Sequence, residues 1–127
     1  MNLQGEVFSG EGEASRFLKL RPYRDFLRRW IGRPFPGTLN LRVDGKKLED
    51  LKKEAAFHRL EGFKYRGDDF GGLNLYMVKI NDKVAGVIEP DRSRYGSDVA
   101  EVVADEELRK IFNLEDGDTV RIKPFKG

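Results

Sequence analysis

The chain has 127 residues, 39% of them hydrophobic and 36% charged, and its 24 basic and 22 acidic residues leave a net charge of +2. This balance does not indicate a nucleic-acid-binding protein and argues against a disordered tail, while the length suits one globular domain. The absence of cysteine excludes disulfides, thiol catalysis and cysteine-based zinc sites. No stretch approaches the ~20 apolar residues of a membrane span, and the N-terminus lacks the apolar core of a signal peptide. We therefore predict a soluble, cytoplasmic, single-domain protein.

The N-terminal part of the chain predicts two strands, a glycine loop and one clear helix. Residues 5–10 read as an opening strand, residues 9–16 (SGEGEASR) as a glycine-containing loop, and Phe17–Leu20 as a second strand. Residues 21–32 (RPYRDFLRRWIG) have apolar side chains at helical spacing and end on Gly32, a typical helix stop. The predicted apolar face contains Tyr23, Phe26, Leu27, Trp30 and Ile31, and the opposite face contains Arg24, Arg28 and Arg29.

A proline-rich turn and an alternating strand follow. Residues 33–37 (RPFPG) contain two prolines and a glycine, which restrict the backbone of a turn. Residues 38–43 (TLNLRV) then alternate between polar and apolar side chains, as a strand with one buried face does. Such a strand directs Leu39, Leu41 and Val43 to one side and Thr38, Asn40 and Arg42 to the other.

The rest of the chain predicts more strands than helices. Short helices are expected at 47–57 and 105–114, the second with Asp105 as its N-cap. Strands are expected on both sides of Gly67 within 62–80 and at 84–89, 99–104 and 119–125, with turns at 81–83 and 115–118. Strands that do not alternate regularly with helices argue against a doubly wound α/β sheet. They favour a small barrel with helices packed on it.

Three features are candidates for binding chemistry, and each has a structural alternative. Thr38 and Asn40 project from one strand face and carry neutral oxygens that suit Mg²⁺ bound to a nucleotide, and a polar barrel face is the alternative. Gly10 and Gly12 free backbone N–H groups to surround an anion, although a plain glycine turn has the same composition. The seven basic residues from Arg16 to Arg33 either bind phosphates or form the solvated face of the helix.

Three motifs resemble, in the same order and spacing, those of the archaeal-type CTP-dependent riboflavin kinases. They are GEVFSGEGEASRFL at 5–18, PFPGTLNL at 34–41 and LRKIFNLEDGDTVRI at 108–122, and the similarity covers essentially the whole chain. The resemblance implies a mostly β, six-stranded cradle-loop (riboflavin-kinase-like) barrel with a few short helices. It implies a kinase that moves the γ-phosphoryl of CTP to the 5′-hydroxyl of riboflavin, giving FMN and CDP, with one Mg²⁺ ion. Some members carry an N-terminal winged-helix domain, which we do not expect within residues 1–127.

The resemblance also implies a set of site residues. CTP is expected to contact Glu11, Gly12, Glu13, Ala14, Ser15 and Arg16 and also Glu106, Glu107, Leu108 and Arg109, with Thr38 and Asn40 as Mg²⁺ ligands and Ser93 and Glu101 as riboflavin contacts. Glu101 is the expected catalytic carboxylate, which either accepts the proton of the 5′-hydroxyl or only orients that group. The implied partners are the two small-molecule substrates, without nucleic acid or membrane, and the implied state is a monomer.

Two features depart from the family pattern. The glycine loop often has a third glycine where this chain has Ala14, so we expect its path to differ there. Three consecutive acids, 105–107, lie at a predicted helix start that would otherwise favour an anion. We therefore expect backbone groups of this segment to read the cytosine, with the phosphates nearer Arg16 and the metal.

The alternative from another functional class is a non-catalytic small barrel that binds nucleic acid or a protein partner, as transcription-factor-like barrels do. The basic run favours this alternative, whereas the face that carries Thr38 and Asn40 has no part in it. A flavin- or nucleotide-binding protein without activity is a third reading, which an assay of FMN formation distinguishes from the first.

Overall fold

The computed structural model describes residues 1–12, 14–93 and 95–127, and these residues form nine strands and four helices. The strands are β1 (Leu3–Phe8), β2 (Leu39–Val43), β3 (Phe57–Leu60), β4 (Phe63–Tyr65), β5 (Asp68–Phe70), β6 (Leu73–Ile80), β7 (Lys83–Pro90), β8 (Val99–Val103) and β9 (Thr119–Pro124). The helices are α1 (Ala14–Leu18), α2 (Arg21–Ile31), α3 (Gly45–Glu54) and α4 (Leu108–Ile111). Within the described ranges, no helix has the length and apolar character needed to cross a membrane.

Six of the strands close into an antiparallel barrel. They pair in the order β6-β7-β8-β2-β1-β9, and β9 returns to pair with β6, where Val78 lies opposite Pro124. β3 adds to β6 outside the ring, and β4 and β5 form a separate two-stranded hairpin. The predicted mostly β, six-stranded barrel with a few short helices is therefore confirmed.

Buried aliphatic side chains from all six strands of the ring form one core cluster. Leu41 of β2, Val102 of β8 and Ile122 of β9 are each at most 1% exposed. The predicted alternation in β2 is confirmed for its apolar side, because Leu39, Leu41 and Val43 are all buried. Because this packing fixes the register of neighbouring strands, the other side of β2, which carries Asn40 and Arg42, faces away from the barrel interior.

Helix α2 packs on the barrel through one apolar face, as predicted. Its buried residues are Tyr23, Phe26, Leu27 and Ile31, which join a second core cluster with Leu73 and Leu75 of β6. The three arginines predicted for the opposite face are exposed. The helix ends at Gly32, whose φ of 83° lies in the left-handed region that glycine adopts most easily.

The predicted strand at 17–20 is wrong, because this stretch belongs to α1 and the turn after it. Ala14 and Leu18 lie one helical turn apart and are both buried. The hydroxyl of Ser15 donates a hydrogen bond of 2.7 Å to the carbonyl oxygen of Gly12, which closes the turn that begins the helix. A four-residue apolar run does not by itself distinguish a strand from a short helix, so the packing of the chain decides.

The middle of the chain contains more strands than the sequence predicted. The turn near Gly67 is confirmed, but it joins only the short strands β4 and β5. The chain then breaks at Gly71 and Gly72 before β6 begins, and β3, which overlaps the end of the predicted helix 47–57, was not expected. Short strands on the outer edge of a sheet carry too few residues for a period-two pattern to be recognised.

The core position of Leu27 generates a stability prediction. Leu27 of α2 is 0% exposed, so Leu27→Ala leaves a cavity and is expected to lower the free energy of unfolding by about 2–5 kcal/mol. Arg28→Ala, the next residue along but exposed, is the matched control and is expected to change it by less than about 0.5 kcal/mol. Urea unfolding followed by circular dichroism measures both. Equal effects of the two substitutions would contradict the assignment of this face to the core.

Candidate active site

Two buried polar side chains lie opposite each other where β2 pairs with β8. The register places Asn40 directly across from Glu101. Each residue is 8% exposed, and among the described residues they are the only polar or charged ones that are buried. Directly opposed residues in an antiparallel pair share one face, with Cβ atoms about 4.5–5.5 Å apart. The barrel therefore brings the residue expected to bind metal and the expected catalytic carboxylate together.

Thr38, just before β2, completes a pair of neutral oxygens with Asn40. The Thr38 hydroxyl donates a hydrogen bond of 3.0 Å to Oδ1 of Asn40. Two ligands at adjacent corners of an octahedron with Mg²⁺–oxygen bonds of about 2.1 Å also lie about 3.0 Å apart. The two oxygens therefore fit two adjacent positions of a Mg²⁺ ion.

These two oxygens would be only part of a metal's ligand set. In the described part of the chain there is no group of three or more histidine, aspartate or glutamate side chains placed to hold a metal ion. A neutral, incomplete set suits Mg²⁺ that keeps waters and is held mainly by substrate phosphates. The fit is thus to a metal that arrives with a nucleotide.

Gly10 lets the glycine loop approach Asn40 closely. A Cβ atom at Gly10 would lie 2.2 Å from Nδ2 of Asn40 and 2.4 Å from the hydroxyl oxygen of Tyr95, both far below contact distance. The absence of a side chain at Gly10 therefore allows the amide nitrogen of Asn40 to pack against the loop. This contact leaves Oδ1 of Asn40 directed to Thr38.

A cavity of about 270 Å³, here called the loop cavity, lies beside this pair. Its walls are the end of β1 with the glycine loop, the turn at Phe35–Gly37 with the start of β2, and the end of β8 with the start of α4. The expected nucleotide contacts that line it are Gly12, Ala14, Ser15, Glu106, Glu107, Leu108 and Arg109, together with the expected metal ligands Thr38 and Asn40. Its volume lies just below the roughly 300–1,000 Å³ of small-molecule sites, and its walls come from three separate segments of the chain.

Two of the expected nucleotide contacts lie elsewhere. Glu11 lines a second, smaller cavity, and Arg16 lines a recess beside Phe17 and Tyr23 instead of the loop cavity. Glu13 lies outside the described residues. Ala14 begins helix α1, so its backbone has an ordinary helical conformation and does not require glycine.

The smaller cavity, of about 60 Å³, is called the junction cavity because it adjoins the loop cavity. Thr38 and Asn40 line both cavities, and so do Gly12 and Ala14. The far wall of the junction cavity contains the two expected flavin contacts, Ser93 and Glu101, together with Tyr95. The candidate metal ligands therefore stand between the site expected for the donor and the residues expected for the acceptor.

Two larger recesses adjoin the junction cavity. One, of about 280 Å³, lies between α3 and the strands β7 and β8 and shares Ser93, Tyr95 and Glu101 with it. The other, of about 310 Å³, shares Phe17 and Arg92 with it and has aromatic walls. A ligand whose reactive end lies in the junction cavity has room to extend beyond it.

Lys83 partly neutralises the three consecutive acidic residues at 105–107, where a helix start was predicted. Its ammonium group, at the beginning of β7, hydrogen-bonds Asp105 and also Glu106, the latter at 3.1 Å. The hydrogen bond to Asp105, with that to Glu106, raises the pKa of Lys83 above its ordinary value although burial opposes the change. The predicted N-cap is therefore wrong, because the Asp105 carboxylate is held by Lys83 and the helix begins only at Leu108 after Glu107.

Arg109 is held at the wall of the loop cavity by two polar groups. Its Nη1 donates to Oδ1 of Asp116 at 2.9 Å and to the hydroxyl oxygen of Ser9 at 3.3 Å. The Ser9 hydroxyl also donates to Asp116, and these contacts lower the pKa of Asp116 below its ordinary value, the Ser9 hydrogen bond most. Asp116 therefore remains ionised at neutral pH and restrains Arg109.

Sequence reasoning missed Lys83, Asp116 and the wall position of Phe35. The backbone N–H of Phe35 donates to the carbonyl oxygen of Ala104 at 2.9 Å, which ties the proline turn to the end of β8. The sequence did predict the proline turn that contains Phe35 and the EDGD turn that contains Asp116. The partners of these segments lie far away in the chain and have no local signal.

The fold and the cavities define the class of protein: a small closed antiparallel barrel with a ligand cleft between its loops, in which neutral oxygens and a buried carboxylate meet. Residues 7–123 match the family described as "Domain of unknown function DUF120", whose short name is CTP-dep_RFKase. The chain belongs to this family, and the resemblance drawn from its three motifs is confirmed.

Several archaeal proteins named "Riboflavin kinase" are similar to this chain. The one from Methanospirillum hungatei JF-1 is 40% identical over 124 residues, which cover 95% of this chain and 56% of that protein. The one from Pyrococcus furiosus is 38% identical over 121 residues (94% and 56%), and the one from Archaeoglobus fulgidus is 33% identical over 126 residues (97% and 54%). The chain spans about half the length of the curated relatives it matches.

The geometry around Asn40 generates a binding prediction. Asn40→Leu keeps the side-chain size but removes Oδ1, so we expect it to abolish stabilisation by Mg²⁺–CTP. If wild type binds Mg²⁺–CTP, a ligand concentration of 100 times its dissociation constant should raise the free energy of unfolding by about 2.7 kcal/mol, which is measured as a rise in Tm. Because Asn40 is buried and accepts a hydrogen bond from Thr38, the substitution itself should cost about 0.5–1.5 kcal/mol without ligand.

Arg42→Leu is the matched control for this measurement. Arg42 lies two residues further along the same strand, is exposed, and lines neither the loop cavity nor the junction cavity. It should keep the full rise in Tm with Mg²⁺–CTP. An Asn40→Leu protein that is stabilised as strongly as wild type would show that Asn40 is not a metal ligand.

Proposed function

We propose that this chain is a CTP-dependent riboflavin kinase domain that moves the γ-phosphoryl of CTP to the 5′-hydroxyl of riboflavin and releases FMN and CDP. The observation that carries the proposal is the position of Thr38 and Asn40 between two adjoining cavities, with Glu101 opposite Asn40. Membership of the family and the printed names of the relatives support the substrate assignment. The short name of the family supports CTP as the donor.

In this proposal the loop cavity binds CTP. The segment 104–107 would contact the cytosine. Lys83 hydrogen-bonds Asp105 and Glu106 of this segment, and the backbone N–H of Phe35 donates to the carbonyl oxygen of Ala104. The glycine loop and Arg109 would lie near the phosphates, and Thr38 and Asn40 would hold the Mg²⁺ bound to the nucleotide. When bound, Mg²⁺ would neutralise charge on the β- and γ-phosphates, which is the largest electrostatic requirement of phosphoryl transfer.

The acceptor hydroxyl is proposed to enter the junction cavity. A volume of about 60 Å³ admits the end of a ribityl chain but is far below that of a complete small-molecule site, roughly 300–1,000 Å³. The flavin ring therefore extends into one of the adjoining recesses, while Ser93 and Glu101 contact the hydroxyl end. This arrangement separates ring binding from the reacting atoms.

The reaction is a single in-line displacement. The 5′-oxygen of riboflavin forms a bond to the γ-phosphorus while the bond from that phosphorus to the β–γ bridging oxygen breaks, and the electron pair leaves with CDP. Glu101 accepts the proton of the 5′-hydroxyl. Its burial opposite Asn40 keeps the carboxylate next to the candidate metal ligands, where alignment contributes most of the rate.

The non-catalytic alternative has less support. The arginines of α2 lie on the exposed side of an amphipathic helix, which accounts for the basic run without a nucleic-acid ligand. A DNA affinity that decreases steeply with salt, without any nucleotide affinity, would favour the alternative.

The first prediction of this proposal concerns the phosphate donor. Incubation of the protein with riboflavin, Mg²⁺ and each of CTP, UTP, GTP and ATP should yield FMN mainly from CTP, as read by chromatography. The expectation that CTP is preferred rests on the family resemblance and on the short name of the family. EDTA is the control that should stop the reaction with every donor. Equal FMN yields from ATP and CTP would contradict the assignment of the donor.

The second prediction concerns Glu101. Glu101→Gln keeps the shape of the side chain but cannot accept a proton, so kcat/KM for riboflavin should decrease about 10²-fold. CDP binding, measured by calorimetry, should stay within a few-fold of wild type. Glu6→Gln, an exposed glutamate on β1 of the same barrel, is the control. An unchanged rate in Glu101→Gln would exclude a role as proton acceptor.

A further inference from the structure

Tyr95 physically connects the glycine loop with the loop that precedes β8. Its hydroxyl oxygen accepts a hydrogen bond from the backbone N–H of Glu11 at 3.3 Å, across a separation of 84 residues. Its ring packs edge-on against Phe8 at the end of β1, with ring centroids 5.9 Å apart. Its own backbone N–H donates to Oγ of Ser93 at 3.2 Å. Tyr95 thus contacts both the glycine loop and Ser93, an expected flavin contact.

The same hydroxyl also lies next to the candidate metal ligand. A Cβ atom at Gly10 would lie within 2.4 Å of the Tyr95 hydroxyl oxygen and within 2.2 Å of Nδ2 of Asn40, so both groups pack against one glycine. Any displacement of Gly10 would therefore change the surroundings of Asn40 and Tyr95 together. Tyr95 also lines the junction cavity and the recess between α3 and β7–β8, where an acceptor would lie.

We infer that Tyr95 is a positioning residue that couples nucleotide binding to flavin binding. The inference rests on the proposed function. Nucleotide in the loop cavity restrains the glycine loop, which favours the state in which the Glu11 N–H bonds to Tyr95. That hydrogen bond restrains Tyr95, and Tyr95 restrains Ser93. Riboflavin then binds to side chains that are already ordered, which makes its binding tighter. By linkage, riboflavin must strengthen nucleotide binding by the same factor.

The test measures this coupling directly with Tyr95→Phe, which keeps the ring against Phe8 and removes only the hydroxyl. The dissociation constant of riboflavin is measured by flavin fluorescence without nucleotide and with saturating CDP–Mg²⁺. In wild type, CDP–Mg²⁺ should tighten riboflavin binding by a factor in the range of about 5–150. In Tyr95→Phe this factor should decrease about 2- to 10-fold, as expected for the loss of one hydrogen bond.

Tyr65→Phe is the matched control, because Tyr65 lies on the separate β4–β5 hairpin and should leave the coupling factor unchanged. If Tyr95 has only a structural role, Tyr95→Phe would change the unfolding temperature, or would change the riboflavin dissociation constant equally with and without CDP–Mg²⁺. The ratio of the two dissociation constants would then stay as it is in wild type. An unchanged factor in Tyr95→Phe, or no coupling in wild type, overturns the inference and leaves the proposed function intact. A wild-type protein that binds CDP–Mg²⁺ but not riboflavin overturns the proposed function and this inference together.

Discussion

The register between β2 and β8 is the constraint on which the candidate site depends. It sets Asn40 opposite Glu101, and a shift of one residue would turn Asn40 into the barrel and Leu39 or Leu41 out of it. Leu39 and Leu41 are at most 3% exposed, so such a shift would expose two core side chains to water. Because the ring of strands is closed, neighbouring pairs must shift together. The core of the barrel therefore keeps these two polar groups opposite each other.

The charged side chains around the loop cavity are largely paired within the protein. The Thr38–Asn40 pair is neutral, and the acids of the segment 105–107 are partly compensated by Lys83 from outside the cavity. Arg109 is present at the wall but is restrained by Asp116. In the function proposed above, a triphosphate with its own Mg²⁺ would meet two candidate metal ligands and one oriented guanidinium group, and the metal would supply most of the positive charge.

Local patterns in the sequence were sufficient for much of the fold. The spacing of apolar residues identified α2 with its buried and exposed faces, and alternation identified β2 and the side on which Asn40 lies. The helical spacing of α2 is long enough to exclude a strand, and the alternation in β2 is regular enough to exclude a helix. Residues 17–20 were misread as a strand and β3 at 57–60 was missed, because four residues show neither period clearly and their conformation follows from what they pack against.

The sequence by itself identified the candidate residues of the site: Thr38 and Asn40 after a rigid turn, a glycine loop, and one glutamate in an apolar strand. Only the tertiary structure decided that they meet. Asn40 and Glu101 are neighbours because β2 and β8 pair, and Lys83 reaches Asp105 because β7 pairs with β8. Ser9 contacts Asp116 over 107 positions of the chain. Contacts between residues so far apart have no period and no spacing that a single sequence reveals. They arise when the barrel closes and its loops are brought to one end, which is a property of the whole core and not of any segment.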